Sequence, residues 1–212
     1  MSDAISILTG IGSAPVRAVP IDQDQWVQRL DRRAVRQLQS LLEMKNGFYA
    51  FEGALHVLSD LGTSIEKGLL EWNCNELWRK CYEGLPEDSL FFAEDIFGVP
   101  FCICNEQVAR FDPETGAFEA IASDIEEWSQ LILDDYQFWT GYDVAHLWQM
   151  KHGPIPIGQR LLPITPFVLG GEYSVANVHA IDATQGMRYR ASIAAQIRDM
   201  PDGAPVNFRV VE

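Results

Sequence analysis

The chain has 212 residues, 47% of them hydrophobic, which is enough for a sizeable core and excludes a disordered polymer. Sixteen Lys and Arg stand against thirty Asp and Glu, a net charge of −14 that argues against direct binding to nucleic acid or an anionic membrane and favours a cationic partner. No stretch approaches the roughly 18 apolar residues of a membrane span, and Asp3 stands where an export signal would be basic, so a cytoplasmic protein with reduced thiols is expected.

Residues 24–45 place Trp26, Val27, Leu30, Leu38, Leu41 and Leu42 mostly at three- and four-residue spacings, which predicts an amphipathic helix with Arg29, Arg32, Arg33 and Arg36 towards solvent. It should stop at Asn46-Gly47, where both residues tolerate positive φ, and the chain resumes as a strand over 48–51. Asn73 is a candidate cap for a short helix that buries Leu77, Trp78 and Cys81 and ends at Gly84.

The middle reads as β-structure over 90–92, 101–104, 108–111 and 118–121, and the short connections between these runs favour antiparallel neighbours. Ser123 followed by Glu126 has the form of a capping box, opening a helix with Ile125, Trp128, Leu131 and Ile132 on one stripe. A second helix is expected over 142–150. Pro154, Pro156, Pro163 and Pro166 mark a long, irregular, packed connection ending at Gly170-Gly171. A strand over 175–182, a helix over 183–200 and a closing strand over 206–211 follow. No repeat or linker interrupts the chain, so residues 1–212 read as a single α+β domain, with a central, largely antiparallel or mixed sheet flanked by helices.

Motifs of common catalysis are absent: there is no G-x-S-x-G elbow, H-E-x-x-H helix, P-loop or C-x-x-C pair. Gly10-Ile11-Gly12 begins like a dinucleotide loop, but Pro15 occupies the place of the third glycine. Cys102 and Cys104 alternate along a strand and would share a face, where two thiolates could hold a soft metal with distant His ligands; buried inert thiols are the preferred reading. Cys74 and Cys81, seven apart, would share a helix face at the core or its boundary. His56, His146, His152 and His179 show no ligand spacing. Neighbouring acids diverge by about 100° on a helix and oppose each other on a strand, so the pairs Glu94-Asp95, Glu126-Glu127 and Asp134-Asp135 are not an acid/base site by adjacency alone. No catalytic residue, cofactor or metal is therefore assigned.

The charge is local. Residues 83–143 contain fifteen acids and one base, Arg110, which accounts for the whole −14. Such a segment is either a solvated surface that keeps the protein soluble or an electrostatic docking surface; the interleaved aromatics set it apart from disordered acidic tails.

The run Asn46-Gly47-Phe48-Tyr49-Ala50-Phe51, then Phe91-Phe92-Ala93-Glu94-Asp95-Ile96-Phe97-Gly98, then the segment from Phe111-Asp112 through Glu119 and Ala122 to Trp128, resembles the SUKH superfamily. Asp95, Phe97, Gly98 and Phe101 occupy the places of that family's F-x-x-D-x-F-G-x-x-F segment. The resemblance covers about 25–135, and 152–212 reads as an extension of the same domain. It implies an α+β domain without catalytic residues and, as for many bacterial members, an immunity protein that binds and neutralises a cognate toxin, often a nuclease. The acidic segment would then steer a cationic toxin or other basic protein, with Glu94, Asp95, Glu126, Glu127, Asp134 and Asp135 as partner-binding residues. A regulator or scaffold that binds a cellular partner, and an enzyme using paired carboxylates, are the alternative readings.

Overall fold

Phe91 and Phe92 are adjacent in the chain and both are fully buried, on opposite sides of one sheet. Phe91 packs edge-on against Trp78 and Phe111, while Phe92 packs edge-on against Trp128. Covering both faces explains why these strands read as continuous apolar runs rather than alternations. The computed structural model describes residues 4–19, 33–86, 89–201 and 203. Within them, strands β1 Phe48–Ala50, β2 Leu55–Val57, β3 Leu90–Glu94, β4 Pro100–Cys104, β5 Gln107–Phe111 and β6 Phe118–Ala122 pair antiparallel in sequence order. A separate antiparallel pair is formed by β7 Gln159–Pro163 and β8 Val178–Asp182. The helices are α1 Ala4–Ile11, α2 Arg33–Met44, α3 Leu69–Trp72, α4 Ile125–Asp134, α5 Tyr136–Thr140, α6 Tyr142–His152 and α7 Ala183–Ile197. The arrangement is α+β, and the main sheet is antiparallel throughout. No helix among the described residues is long and apolar enough to cross a membrane.

The four central strands fall where the apolar runs place them, and the Asn105-Glu106 connection has positive φ at both residues, the type I′ geometry of a two-residue hairpin. Helix α2 buries Leu38, Leu41 and Leu42 and ends before Asn46, whose side chain accepts from Asp60 N and donates to Asp60 Oδ1. Its expected first turns, with Trp26, Val27, Leu30, Arg29 and Arg32, and the closing strand over 206–211 lie outside the described residues.

Several elements differ from expectation. Ala4–Ile11 is a helix that buries Ile5 and Leu8. β1 stops at Ala50 because Phe51 and Glu52 turn through positive φ into β2, a three-residue strand too short to carry a period. Asn73 ends a helix instead of starting one: it is the C-cap of α3, and its side chain bridges Leu69 O and Phe91 O. Trp78 is buried as expected, but Cys81 is exposed on a 3₁₀ turn. The cap of α4 is Asp124, one residue past the expected Ser123; its carboxylate accepts from Glu127 N, and Glu127 accepts from Ser123 N. The proline-marked connection contains strand β7, which the prolines conceal because Pro163 sits in its last position. The expected strand over 175–182 is shortened to β8 by a 3₁₀ turn, Val175–Asn177.

Gly141 joins α5 to α6 at φ +68°, and a Cβ there would lie 2.4 Å from the Phe97 ring and 2.9 Å from Ile96 Cγ2. Gly53 has φ +85° with nothing within 4 Å of a built Cβ. Both Gly→Ala changes incur the left-handed penalty of roughly 1–2 kcal/mol, but Gly141→Ala adds overpacking of roughly 1–3 kcal/mol. In urea unfolding, Gly141→Ala should therefore lower stability well beyond Gly53→Ala; equal losses would mean that the α5–α6 junction is not packed on the β3–β4 turn.

Candidate functional site

The six acids of the expected docking surface do not form one surface. Glu94 and Asp95, at 4% and 1% exposure, are interior residues, so the expectation that they meet a partner is corrected. Strand alternation sends them to different partners. Glu94 Oε1 lies 2.9 Å from Arg160 Nε and accepts from His56 Nδ1 at 3.2 Å. Asp95 Oδ1 accepts from Phe97 N at 2.8 Å and Val99 N at 2.9 Å, and Oδ2 is 3.5 Å from Arg110 Nη2. Glu126 is half-buried and accepts from Ala4 N and Ile5 N, so it holds the start of α1. Glu127 is exposed and serves the α4 cap. Asp134 and Asp135 are exposed; Asp135 caps α5 by accepting from Phe138 N, and Asp134 accepts from Gln130 Nε2. None of the three acid pairs converges on a common point.

An accessible acidic face does exist on α4–α6. Asp134, Asp135 and Asp143 are exposed, and no Lys, Arg or His of the described residues forms an ion pair with any of them. Gln137 Nε2 donates to Asp143 Oδ1 and ties α5 to α6. Phe138, beside Gln137, is 62% exposed, and Asp143, Leu147 and Met150 fall at positions i, i+4 and i+7 on α6, where Leu147 and Met150 are 55% and 75% exposed. The sequence marks Asp134 and Asp135 as candidates and 142–150 only as a helix, without assigning its faces.

A buried ionic cluster was not legible in the sequence. His56 lies between Glu94 and Glu66, with its Nε2 3.3 Å from Glu66 Oε2. Tyr49 stacks on the His56 ring and donates to Glu66, and Arg160 lies over the Tyr49 ring. Burial disfavours the charged form of Glu94, but Arg160 and His56 outweigh it and hold the carboxyl below its usual range. Burial likewise opposes ionisation of Glu66, and the hydrogen bonds from His56 and Tyr49 reverse that effect. The cluster borders a cleft of about 230 Å³, also lined by Lys67, Asp182 and Thr184.

A second cleft, of about 410 Å³, opens between the β5–β6 hairpin and the loop around Phe167 and Tyr173. Glu114 lines it; its Oε2 accepts from Val168 N at 2.7 Å, and burial pushes its carboxyl upward. Of the remaining candidates, Cys102 and Cys104 are buried in β4, while Cys74 and Cys81 are exposed, against the expected placement at the core or its boundary. No group of three or more His, Cys, Asp and Glu among the described residues is arranged to hold a metal ion.

No family model matches the chain, and no curated protein matches it. Among solved structures it is similar to the crystal structure of Atu4351 from Agrobacterium tumefaciens, with a TM-score of 0.59 over 90% of this chain and 87% of that one. At 12% identity, the likeness speaks for the fold: an α+β protein built on the same plan.

Burial pushes the Asp95 carboxyl up to about 6, despite Arg110 and the two N–H donors that favour its ionised form. The folded state then keeps this proton between pH 3.8 and about 6 while the unfolded chain releases it, so this group subtracts stability as pH rises through that window. Asp95→Asn keeps an oxygen for Phe97 N and Val99 N and removes the titration. Relative to wild type, the D95N protein should gain roughly 2–3 kcal/mol in chemical unfolding between pH 3.5 and 7.5. Glu66 and Glu94, whose depressed carboxyls add stability that is lost on acidification, are present in both proteins and cancel in the difference. A flat difference curve would show that Asp95 stays ionised across the window.

Proposed function

We propose that this chain is a non-enzymatic binding protein of the immunity type, which sequesters a cognate cationic protein toxin through the acidic and aromatic face on α4–α6. The observation that carries the reading is the exposure of Asp134, Asp135 and Asp143 without basic partners among the described residues, together with exposed Phe138, Leu147 and Met150. A purely solvated surface needs the charges but not the apolar side chains; a docking surface uses the charges for encounter and the apolar groups to slow dissociation. The motifs at 46–51 and 91–98 add the resemblance to SUKH immunity proteins. Glu94 and Asp95 have no part in this reading, because both are buried inside the fold.

The test is binding to the product of the neighbouring gene, with protection measured in co-expressing cells. Protection should saturate at a fixed molar ratio. Changing Asp134, Asp135 and Asp143 together to Asn should slow association about tenfold at low salt and flatten its salt dependence, while Phe138→Ala should accelerate dissociation. Wild-type kinetics at low and high salt in the triple variant would reduce the face to a solubility surface. Protection by trace amounts of protein would replace sequestration with turnover.

A further inference from the structure

The cleft of about 230 Å³ lies between the 63–67 turn and the start of α7, and its walls carry polar atoms that are both unmatched and reachable. The turn is held by Thr63, whose N donates to Glu66 O at 2.9 Å and whose Oγ1 accepts from Ile65 N and Glu66 N. Gly158 joins the two walls. Its carbonyl accepts from Ala183 N, and a Cβ on it would stand 2.7 Å from Ile65 O. Glu66 is 9% exposed; Oε2 is taken by Tyr49 and His56, whereas Oε1 has no hydrogen-bond partner among the described residues and stays open to solvent. Thr184, also 9% exposed, lines the opposite wall with a hydroxyl that is likewise unpartnered and open. His56 Nε2 and Glu94 Oε2 are sealed beneath the cleft and offer a ligand nothing.

The charges in the lining are mixed. Burial opposes ionisation of Glu66, but the hydrogen bonds from His56 and Tyr49 hold its carboxyl below the usual range, so it stands in the cleft as a carboxylate. Lys67 is exposed on the same turn and has neither an ion pair nor a hydrogen bond among the described residues. Asp182 already caps α7 by accepting from Gln185 N, so the helix start does not invite an anion. A purely anionic ligand would therefore meet Glu66 and Asp182, and a purely cationic one would meet Lys67. Apolar surface completes the cleft: Leu58 and Trp72 are buried beneath it, and Ile65 is 62% exposed beside it.

We infer that this cleft binds a small aliphatic α-amino acid as its zwitterion, the ammonium pairing with Glu66 Oε1 and Thr184 Oγ1 and the carboxylate with Lys67. Such a ligand brings one charge of each sign to a lining that has both, and its side chain meets the Leu58, Trp72 and Ile65 surface. The size agrees, since the cleft falls below the range of about 300–1,000 Å³ that suits drug-sized ligands. The site shares no residue with the acidic face of α4–α6 and does not rest on that reading.

L-valine, titrated to about 10 mM at pH 7 into the ¹⁵N-labelled full chain, detects affinities in the millimolar range. The amide resonances of Ser64, Lys67 and Thr184 should shift saturably. N-acetyl-L-valine, which lacks the ammonium, and L-valinamide, which lacks the carboxylate, should each bind at least about fivefold more weakly. Thr184→Val removes the hydroxyl with little change in shape and should weaken L-valine about fivefold, the loss of one hydrogen bond. Lys67→Met removes an exposed charge and should weaken it about threefold. Glu66→Gln should cost about tenfold, and the two other variants, which leave the buried cluster intact, decide the matter if it fails to fold. Absence of saturable shifts, or unchanged affinity in the folded variants, would overturn the site. Equal binding of the amide would reduce it to a cation site, and equal binding of the acetylated acid to an anion site; either result would overturn recognition of a zwitterion. No step of the test involves a toxin, so its outcome is separate from that of the docking face.

Discussion

Arginines at positions 110, 160 and 190 converge on the turn between β3 and β4, and most of the tertiary structure is referred to that point. Arg160 comes from β7 and meets Glu94; Arg110 comes from β5 and meets Asp95; Arg190 comes from α7 and takes the carbonyls of Phe97 and Gly98. The backbone adds two further ties, from Leu161 N to Ile96 O and from Ile96 N to Thr140 O. The turn thus fixes the two-stranded sheet, the C-terminal helix and the α5–α6 junction to the main sheet. Gly98 is required for a geometric reason: it has φ +67°, and a Cβ would stand 2.9 Å from Arg190 Nη2.

This fastening carries a desolvation cost. Arg160 and Arg190 are 4% and 3% exposed, and Glu94 is equally enclosed, so each charge must be compensated in place. The interior pair Arg160–Glu94 is not strong evidence of stability in itself, since a well-packed apolar pair could replace it. Its consequence is specificity of assembly: a β7 strand shifted by one residue would place Leu161, not Arg160, opposite Glu94 and deprive the carboxylate of its guanidinium partner. The same logic applies to His56, which links Glu94 to Glu66 and so joins β2 and β3 to the segment before α3.

Those long-range ties account for what the sequence could and could not reveal. The central strands were legible because burial on both faces leaves uninterrupted runs such as Phe101-Cys102-Ile103-Cys104, bounded by turn residues, and α4 was legible from Ile125, Trp128 and Ile132 at helical spacing. β2 and β7 were hidden, the first by its three-residue length and the second by the prolines around it. In the site, Asp134 and Asp135 could be read as exposed acids because their helix declares its apolar side. Glu94 and Asp95 could not be read as interior residues. Their partners Arg160, His56 and Arg110 lie between 15 and 66 positions away along the chain, and local pattern carries no sign of a charge matched at that distance.

The division of labour among the acids is itself an argument about the −14 charge. Of the fifteen acids in 83–143, Glu94, Asp95, Glu114 and Asp124 are buried and committed to internal donors, and Glu126 is half-buried on α1. They therefore contribute little to a surface field, and the accessible charge is smaller and more localised than composition suggests. A protein selected for solubility alone gains by dispersing its exposed acids and by hiding its apolar side chains. On α4–α6 the opposite holds: Asp134, Asp135 and Asp143 occur together with Phe138, Leu147 and Met150, all exposed. That association of self-repelling charge with solvent-facing hydrocarbon is unfavourable in the free protein on both counts, and the basic partner of the proposed function, with an apolar patch of its own, would relieve both at once.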